Sequence, residues 1–359
     1  MSGIVRQSLD RLLGRGEAAI TVPPMDGPLK PNLAIEEAET VCDFDAPADL
    51  AWDGEHLWVA DGKRLLRREA SGKWTPQTAF DRPVTAIAHS PVHGMLAAVG
   101  GNEVVAVAHQ RWKPGPRVIA GQPLACITGL CAAGDGSVIV TQGSGQFTAD
   151  QWTHDLLSLG RSGRVCRLTP DAVGDMELQT GLRHPFGALQ MGGGLWVSES
   201  WSHRVIALEG GSQTVVADRL PAYPSRLAAA TGGGAWLTLF APRTRLVEFV
   251  LREPAYRRRM MQEVDPRYWV APALSSGASF LEPLQGGSVK QLGIMKPWAP
   301  PRSYGLVVRL DAQGLPVASF HSRADGRNHG IVAACEAQGH LYLLSRGAGR
   351  LLRIALEAA

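Results

Sequence analysis

Apolar and polar positions alternate along most of this chain in short runs, broken by turns rich in glycine, aspartate and serine. The clearest stretch begins at Phe186-Gly187-Ala188-Leu189-Gln190. A glycine turn follows, then Leu195-Trp196-Val197-Ser198-Glu199, then His203-Arg204-Val205-Ile206-Ala207-Leu208. Alternation over four to six residues between turn signals predicts strands, so this stretch reads as three in succession. Equivalent triplets occur at 50–67, 84–107, 127–168, 226–310 and 330–354. Candidate fourth strands lie between them, at Met176-Glu177-Leu178-Gln179, Gln213-Thr214-Val215-Val216 and Pro316 to Phe320. Four-stranded units repeating about every forty residues predict an all-β, six-bladed β-propeller, because one blade cannot bury both of its faces alone. The segment Thr40-Val41-Cys42-Asp43-Phe44 is placed to give the last blade its outer strand and close the ring.

Two insertions interrupt the rhythm. One spans 143–162. The other, 241–303, lies inside the fifth unit, and its front reads as partly helical from Arg245 to Leu251 and Tyr256 to Met261. Long excursions of this kind carry ligand contacts or partner contacts, so the second is expected over the channel mouth. Residues 1–39 read as a short amphipathic helix and a proline-bearing arm, and 40–359 as a single propeller. No linker-like stretch suggests two smaller β-domains.

Composition narrows the function. The net charge is +3 over 359 residues, with no basic block to follow a phosphate backbone, which argues against nucleic acid. The five cysteines are odd in number and form no CxxC pair, as expected of free thiols in the cytoplasm. No run approaches the roughly 20 apolar residues of a spanning helix. A soluble, cytoplasmic protein is expected and membrane contact is not, the weakly amphipathic N-terminus being the one candidate surface anchor. A small-molecule substrate is the expected ligand, and a protein partner is possible for the insertion.

Four stretches resemble the strictosidine-synthase-like family, a branch of the propeller superfamily that also holds gluconolactonase/regucalcin and paraoxonase enzymes. They are Leu195 to Glu199 with His203-Arg204-Val205; Asp155-Leu156-Leu157 with Gly163-Arg164-Val165; Leu246 to Val250 with Glu253-Pro254 and Arg257 to Met260; and Ser303 to Val307 with Cys335 to Leu343. The resemblance implies a channel-centred site, and in metal-dependent relatives a calcium-type cation held by oxygen ligands. Here Phe186 and Arg226 stand at two positions that carry ligands in that pattern, and neither can ligate such a cation. A metal-free, cofactor-free channel is expected. The family's condensing glutamate corresponds to Val332, which cannot move a proton, so strictosidine synthesis itself is not expected.

The remaining polar candidates are Glu199, His329 and His184 for acid–base work. Arg226 is the candidate to hold a substrate anion, and its alternative role is an ion pair with Glu199. Phe186, Ser225 and Thr128 are expected beside it at the channel. Trp152, Trp269 and Trp298 lie on the insertions and are expected to line an aromatic pocket. Lys296 is a weaker candidate for a Schiff base. Trp58, Trp196 and Trp236 match in three units and are expected to pack blade on blade, while Asp61 and Gln142 are expected to tie blades together. Three functions stand open: metal-independent acid–base enzyme (condensation or hydrolysis), non-catalytic binding or scaffold propeller, and lactonase- or esterase-type hydrolase.

Overall fold

The computed structural model describes residues 22–107, 112–113, 115–277, 279, 281–283 and 301–356. Six antiparallel sheets form the blades of a propeller. Blade one is β2 (Pro47–Trp52), β3 (Leu57–Asp61), β4 (Arg64–Arg68) and β5 (Trp74–Ala79). Blade two has three strands, β6 (Val84–Ser90), β7 (Gly94–Val99) and β8 (Glu103–Ala106), followed by a small hairpin of β9 (Val118–Ile119) and β10 (Gln122–Pro123). Blade three is β11 (Ile127–Ala132), β12 (Val138–Gln142), β13 (Gly163–Leu168) and β14 (Met176–Leu182). Blade four is β15 (Pro185–Met191), β16 (Gly194–Glu199), β17 (Arg204–Glu209) and β18 (Ser212–Ala217). Blade five is β19 (Ala222–Ala229), β20 (Ala235–Pro242), β21 (Leu306–Leu310) and β22 (Pro316–His321). Blade six is β23 (Ile331–Ala337), β24 (His340–Ser345) and β25 (Arg350–Ala355), and its outer strand is β1 (Glu39–Asp43) from the other end of the chain. That pairing of β1 with β25 joins the two ends of the ring.

Each second strand is sandwiched between neighbouring blades. β12 and β20 are buried throughout, and β7, β16 and β24 at every residue after the first. Burial on both faces explains why Met95-Leu96-Ala97-Ala98-Val99 and Leu341-Tyr342-Leu343-Leu344 lack polar alternation. Trp236 packs against Phe320 and donates its indole N–H to Glu336 across the boundary of blades five and six, at 2.9 Å.

The inner strands share one irregularity. In all six, the register slips within a few residues of the strand start: between Pro47 and Asp49, Val84 and Ala86, Ile127 and Gly129, Pro185 and Ala188, Pro224 and Leu227, and Ile331 and Ala333. A bulge unpairs its extra residue and re-aims that residue's groups. Six bulges at one level therefore make a ring around the axis. Close approach there requires glycine: a Cβ on Gly187 would lie 2.7 Å from the Cα of Arg226, and one on Gly129 would lie 2.6 Å from the Phe186 carbonyl oxygen.

The insertions carry three helices: α1 (Trp152–Leu157) in the first, α2 (Arg245–Arg252) and α3 (Pro254–Glu263) in the second. They pack on each other through Leu157, Val250, Met260 and Trp269. Leu274 then lies over Gly330 and Gly347, so the second insertion covers the end of the ring where the inner strands begin. The expected N-terminal helix, Lys296 and Trp298 lie outside the described residues. Among the described residues no helix is long and apolar enough to cross a membrane, and all five cysteines are free thiols.

Candidate functional site

Arg226 fills the centre of the ring. Its bulge position aims the side chain along the channel, where one Nη donates to the carbonyls of Ala48 (3.0 Å) and Val332 (3.4 Å). The other donates to Thr85 (2.8 Å) and Thr128 (2.7 Å). Nε lies 3.2 Å from the buried carboxylate of Asp49, and the guanidinium carbon sits 5.1 Å from the centre of the Phe186 ring. One side chain thus touches a bulge residue from every other blade. Burial drives Arg226 and Asp49 toward their neutral forms, each opposed by the charge of the other. Arginine stays cationic at ordinary pH regardless.

This corrects two sequence expectations. Arg226 has no N–H left in its terminal fork for a substrate anion, and its ion-pair partner is Asp49 rather than Glu199. Nor do the axial residues fit a metal ion. A fixed guanidinium stands where the four carbonyls converge, and no trio of histidine, cysteine, aspartate or glutamate among the described residues could hold one. Val332 contributes only its carbonyl.

Ser225 and Thr128 belong to a belt of side-chain ties that join one blade to the inner strand of the next. Thr85 donates to Ile127 O (2.7 Å), Thr128 to Pro185 O (2.7 Å), Ser200 to Pro224 O (2.6 Å) and Ser225 to Ile331 O (3.2 Å). Asp49 completes the set by accepting the Ile87 amide at 2.8 Å. Glu199 is likewise structural in its contacts. One oxygen accepts the Arg183 amide (2.7 Å) and the other faces Arg204 Nε (2.6 Å). Asp61 does the same with Ala46 and Arg64 in blade one, and Gln142 with Ala125 and Arg164 in blade three.

His184 and Trp152 meet at the first insertion. His184 Nδ1 lies 3.3 Å from Asp155 on α1, and its ring stacks on Trp201 at 4.3 Å. Asp155 also accepts from Trp201 Nε1 (2.7 Å) and Ser144 Oγ (2.8 Å). Burial raises its pKa, but these hydrogen bonds outweigh it and hold the carboxyl below its ordinary value. Trp152 packs edge-on to Phe240 at 5.3 Å, and Trp269 is buried among insertion residues, its indole bonded to Val264 O. Neither lines an open aromatic pocket.

His329 differs. It is buried at the start of blade six, with Nε2 2.7 Å from the Arg323 carbonyl and Nδ1 2.7 Å from Ser303 Oγ. Ser303 in turn lies 2.7 Å from Ser276 Oγ on the second insertion. Burial lowers the His329 pKa below 6.5, opposed by its bond to Arg323 and by the charges of Glu36 and Asp325. Nucleophile-type hydroxyl, base and orienting carbonyl therefore stand in order. Sequence reasoning singled out His329 and missed both serines, which sit in loops without periodicity.

No family model matches the sequence, and no curated protein does. Solved structures do match. A gluconolactonase of Xanthomonas campestris is 17% identical, with a TM-score of 0.55 over 88% of each chain. Regucalcin of Agrobacterium tumefaciens, described as a calcium-binding protein, is 10% identical with a TM-score of 0.54, over 89% of this chain and 93% of its own. A luciferin-regenerating enzyme scores 0.52 at 11% identity. The chain has the fold of the gluconolactonase and regucalcin propellers. At these identities the likeness is one of fold.

Proposed function

We propose that this chain is a metal-independent hydrolase of small carboxylic esters and lactones, with His329 as its acid–base group. The observation that carries this is the buried imidazole of His329, with one nitrogen anchored to a carbonyl and the other bonded to a serine hydroxyl. A histidine whose pKa burial lowers below 6.5 is held in its base form, and in that setting suits general base catalysis. The fold shared with gluconolactonases favours hydrolysis over the amine condensation that the strictosidine-synthase-like motifs imply. The Arg226 guanidinium occupies the axis, where the resemblance implies a cation in metal-dependent members, so the proposed step uses the side chains at His329 alone.

A second reading draws on Arg226, whose seal across the channel suits a propeller that binds or scaffolds without turnover. One experiment separates the two. Hydrolysis of p-nitrophenyl acetate, p-nitrophenyl butyrate and five- and six-membered lactones is measured in EDTA and in calcium. Turnover that is indifferent to EDTA and lost in both His329→Asn and Ser303→Ala supports the hydrolase. A ligand that raises the melting temperature without being consumed supports the binder. Activity that appears only with calcium overturns the metal-free reading.

A further inference from the structure

The hydrogen-bond chain at His329 has only one possible direction. A carbonyl oxygen can only accept, so at 2.7 Å from Arg323 O the Nε2 of His329 must carry the proton. A neutral imidazole carries one N–H, which leaves Nδ1 bare and accepting. Ser303 therefore donates its single proton to Nδ1, across 2.7 Å. Its oxygen then has only lone pairs to offer Ser276, whose own O–H must point at it across 2.7 Å. The proton path runs from Ser276 through Ser303 to His329.

The two ends of this path differ in exposure. Ser303 and His329 are buried, whereas Ser276 is half-buried at the edge of the second insertion. Glu282 pins the turn that follows, accepting the amides of Gly277 (3.1 Å) and Ser279 (3.2 Å). Arg302, the residue before Ser303, borders a concavity of about 290 Å³ including its open side, walled by Pro242, Val247, Ala271, Pro272 and Pro283. Those five residues give apolar surface that suits the hydrocarbon part of a small ester, and Thr244 and Arg302 form the polar edge.

We propose that Ser276 is a catalytic nucleophile that takes the acyl group of small, uncharged carboxylic esters and lactones. Ser276 Oγ attacks the carbonyl carbon. Its proton passes to Ser303 as the Ser303 proton passes to Nδ1 of His329. Collapse of the tetrahedral species breaks the ester C–O bond, and the departing alkoxide takes the proton back from His329 through the Ser303 hydroxyl, since Ser276 Oγ now carries the acyl group. In a lactone the new alcohol stays attached to the acyl chain. Water, deprotonated through Ser303 to His329, then attacks the acyl–Ser276 ester, and collapse returns that proton through Ser303 to Ser276 Oγ as the acid leaves. Ester and water are consumed, and acid and alcohol are formed. Burial favours the neutral form of His329, as a base requires, while the carboxylates of Glu36 and Asp325 favour the imidazolium that forms. Arg323, whose carbonyl anchors Nε2, is itself paired with Asp325 at 2.8 Å.

This inference rests on the hydrolase reading, and its test separates the two. The full-length protein is treated with a fluorophosphonate probe, and the adduct is mapped by peptide mass spectrometry alongside p-nitrophenyl butyrate turnover. One adduct on Ser276 is expected, absent in Ser276→Ala and formed about 100-fold more slowly in Ser303→Ala and His329→Asn. Ser303→Ala keeps the histidine in place, so the result does not hang on whether His329→Asn folds. Turnover that survives in Ser276→Ala but not in Ser303→Ala overturns the nucleophile while leaving a histidine-activated water. An adduct at another serine overturns it too. No adduct and no turnover of any ester or lactone overturns both.

Discussion

The axis and the blade-six rim are both built from buried polar groups, but they end differently. At the axis the terminal nitrogens are matched within the ring: four carbonyls accept from the guanidinium, the Asp49 carboxylate lies beside Nε, and Phe186 covers the face. At the rim the chain from Arg323 O through His329 and Ser303 stops at Ser276, which is partly open to solvent. A closed network holds strands in place and has nothing to offer a ligand. An open-ended one keeps a polarised hydroxyl at its edge. On the proposed reading the chemistry of this propeller sits at the rim, while the contacts at the centre serve the fold.

The sharpest way to break that contrast is at Arg226. Arg226→Ala leaves Asp49 and four carbonyls buried without their donor. Losing one partner of a buried ion pair costs about 3–5 kcal/mol. Urea unfolding should register a loss of that size. Arg226→Lys should recover only part of it, since three donors on a point charge cannot meet a planar fork of acceptors. Ester turnover per folded molecule should be unchanged. A stable Arg226→Ala protein would mean that the ring closes without its central cation.

The next effect is on pH. His321 is buried between Tyr304 and Ser319, with ring nitrogens 3.0 and 2.9 Å from their hydroxyls, and burial lowers its pKa from 6.5 to about 4. The unfolded chain takes up this proton more readily than the native state. Stability is therefore complete above pH 6.5, falls as pH drops from 6.5 to about 4, and is flat below that for this group. The full loss is roughly 3 kcal/mol. His203 and His329, also lowered by burial, act in the same direction. Unfolding free energies at pH 7.0, 5.5 and 4.5 should decline in that order, and His321→Gln should flatten part of the slope. An unchanged wild-type value across this range would contradict the burial of these rings.

Much of the fold was legible in the sequence because its signal is collective. Six triplets of strand-like alternation, glycine turns and an outlying Thr40–Phe44 segment report a ring that must close on itself. The absence of metal ligands at Phe186 and Arg226 was also legible, since side-chain type alone decides it. What Arg226 does instead was not. Its partners are backbone carbonyls, and any residue supplies one, so no letter in the sequence marks them. Among the described residues Asp49 is its one ion-pair partner, and it comes from blade one, far from Arg226 in the sequence. Ser276 and Ser303 are likewise adjacent only in space, brought together by an excursion whose path has no period to follow.

Glu199 was misjudged for a different reason, and it gives the finest test. The pattern that explains it was present: a polar residue ends the second strand, and an arginine opens the third, at Asp61 and Arg64, Gln142 and Arg164, and Glu199 and Arg204. In all three the polar group also accepts an amide just before its inner strand. Blade three meets both demands with a neutral amide, so the tie needs an acceptor and not a charge. Glu199→Gln should therefore cost little, about 1 kcal/mol or less, because Arg204 is partly exposed and its ion pair is screened. Glu199→Ala should cost more, about 1–3 kcal/mol, since the Arg183 amide is left without its acceptor. Ester turnover should follow neither change. If Glu199→Gln abolished turnover while melting at the wild-type temperature, the carboxylate would be acting in chemistry, and the division between a structural centre and a reactive rim would fall.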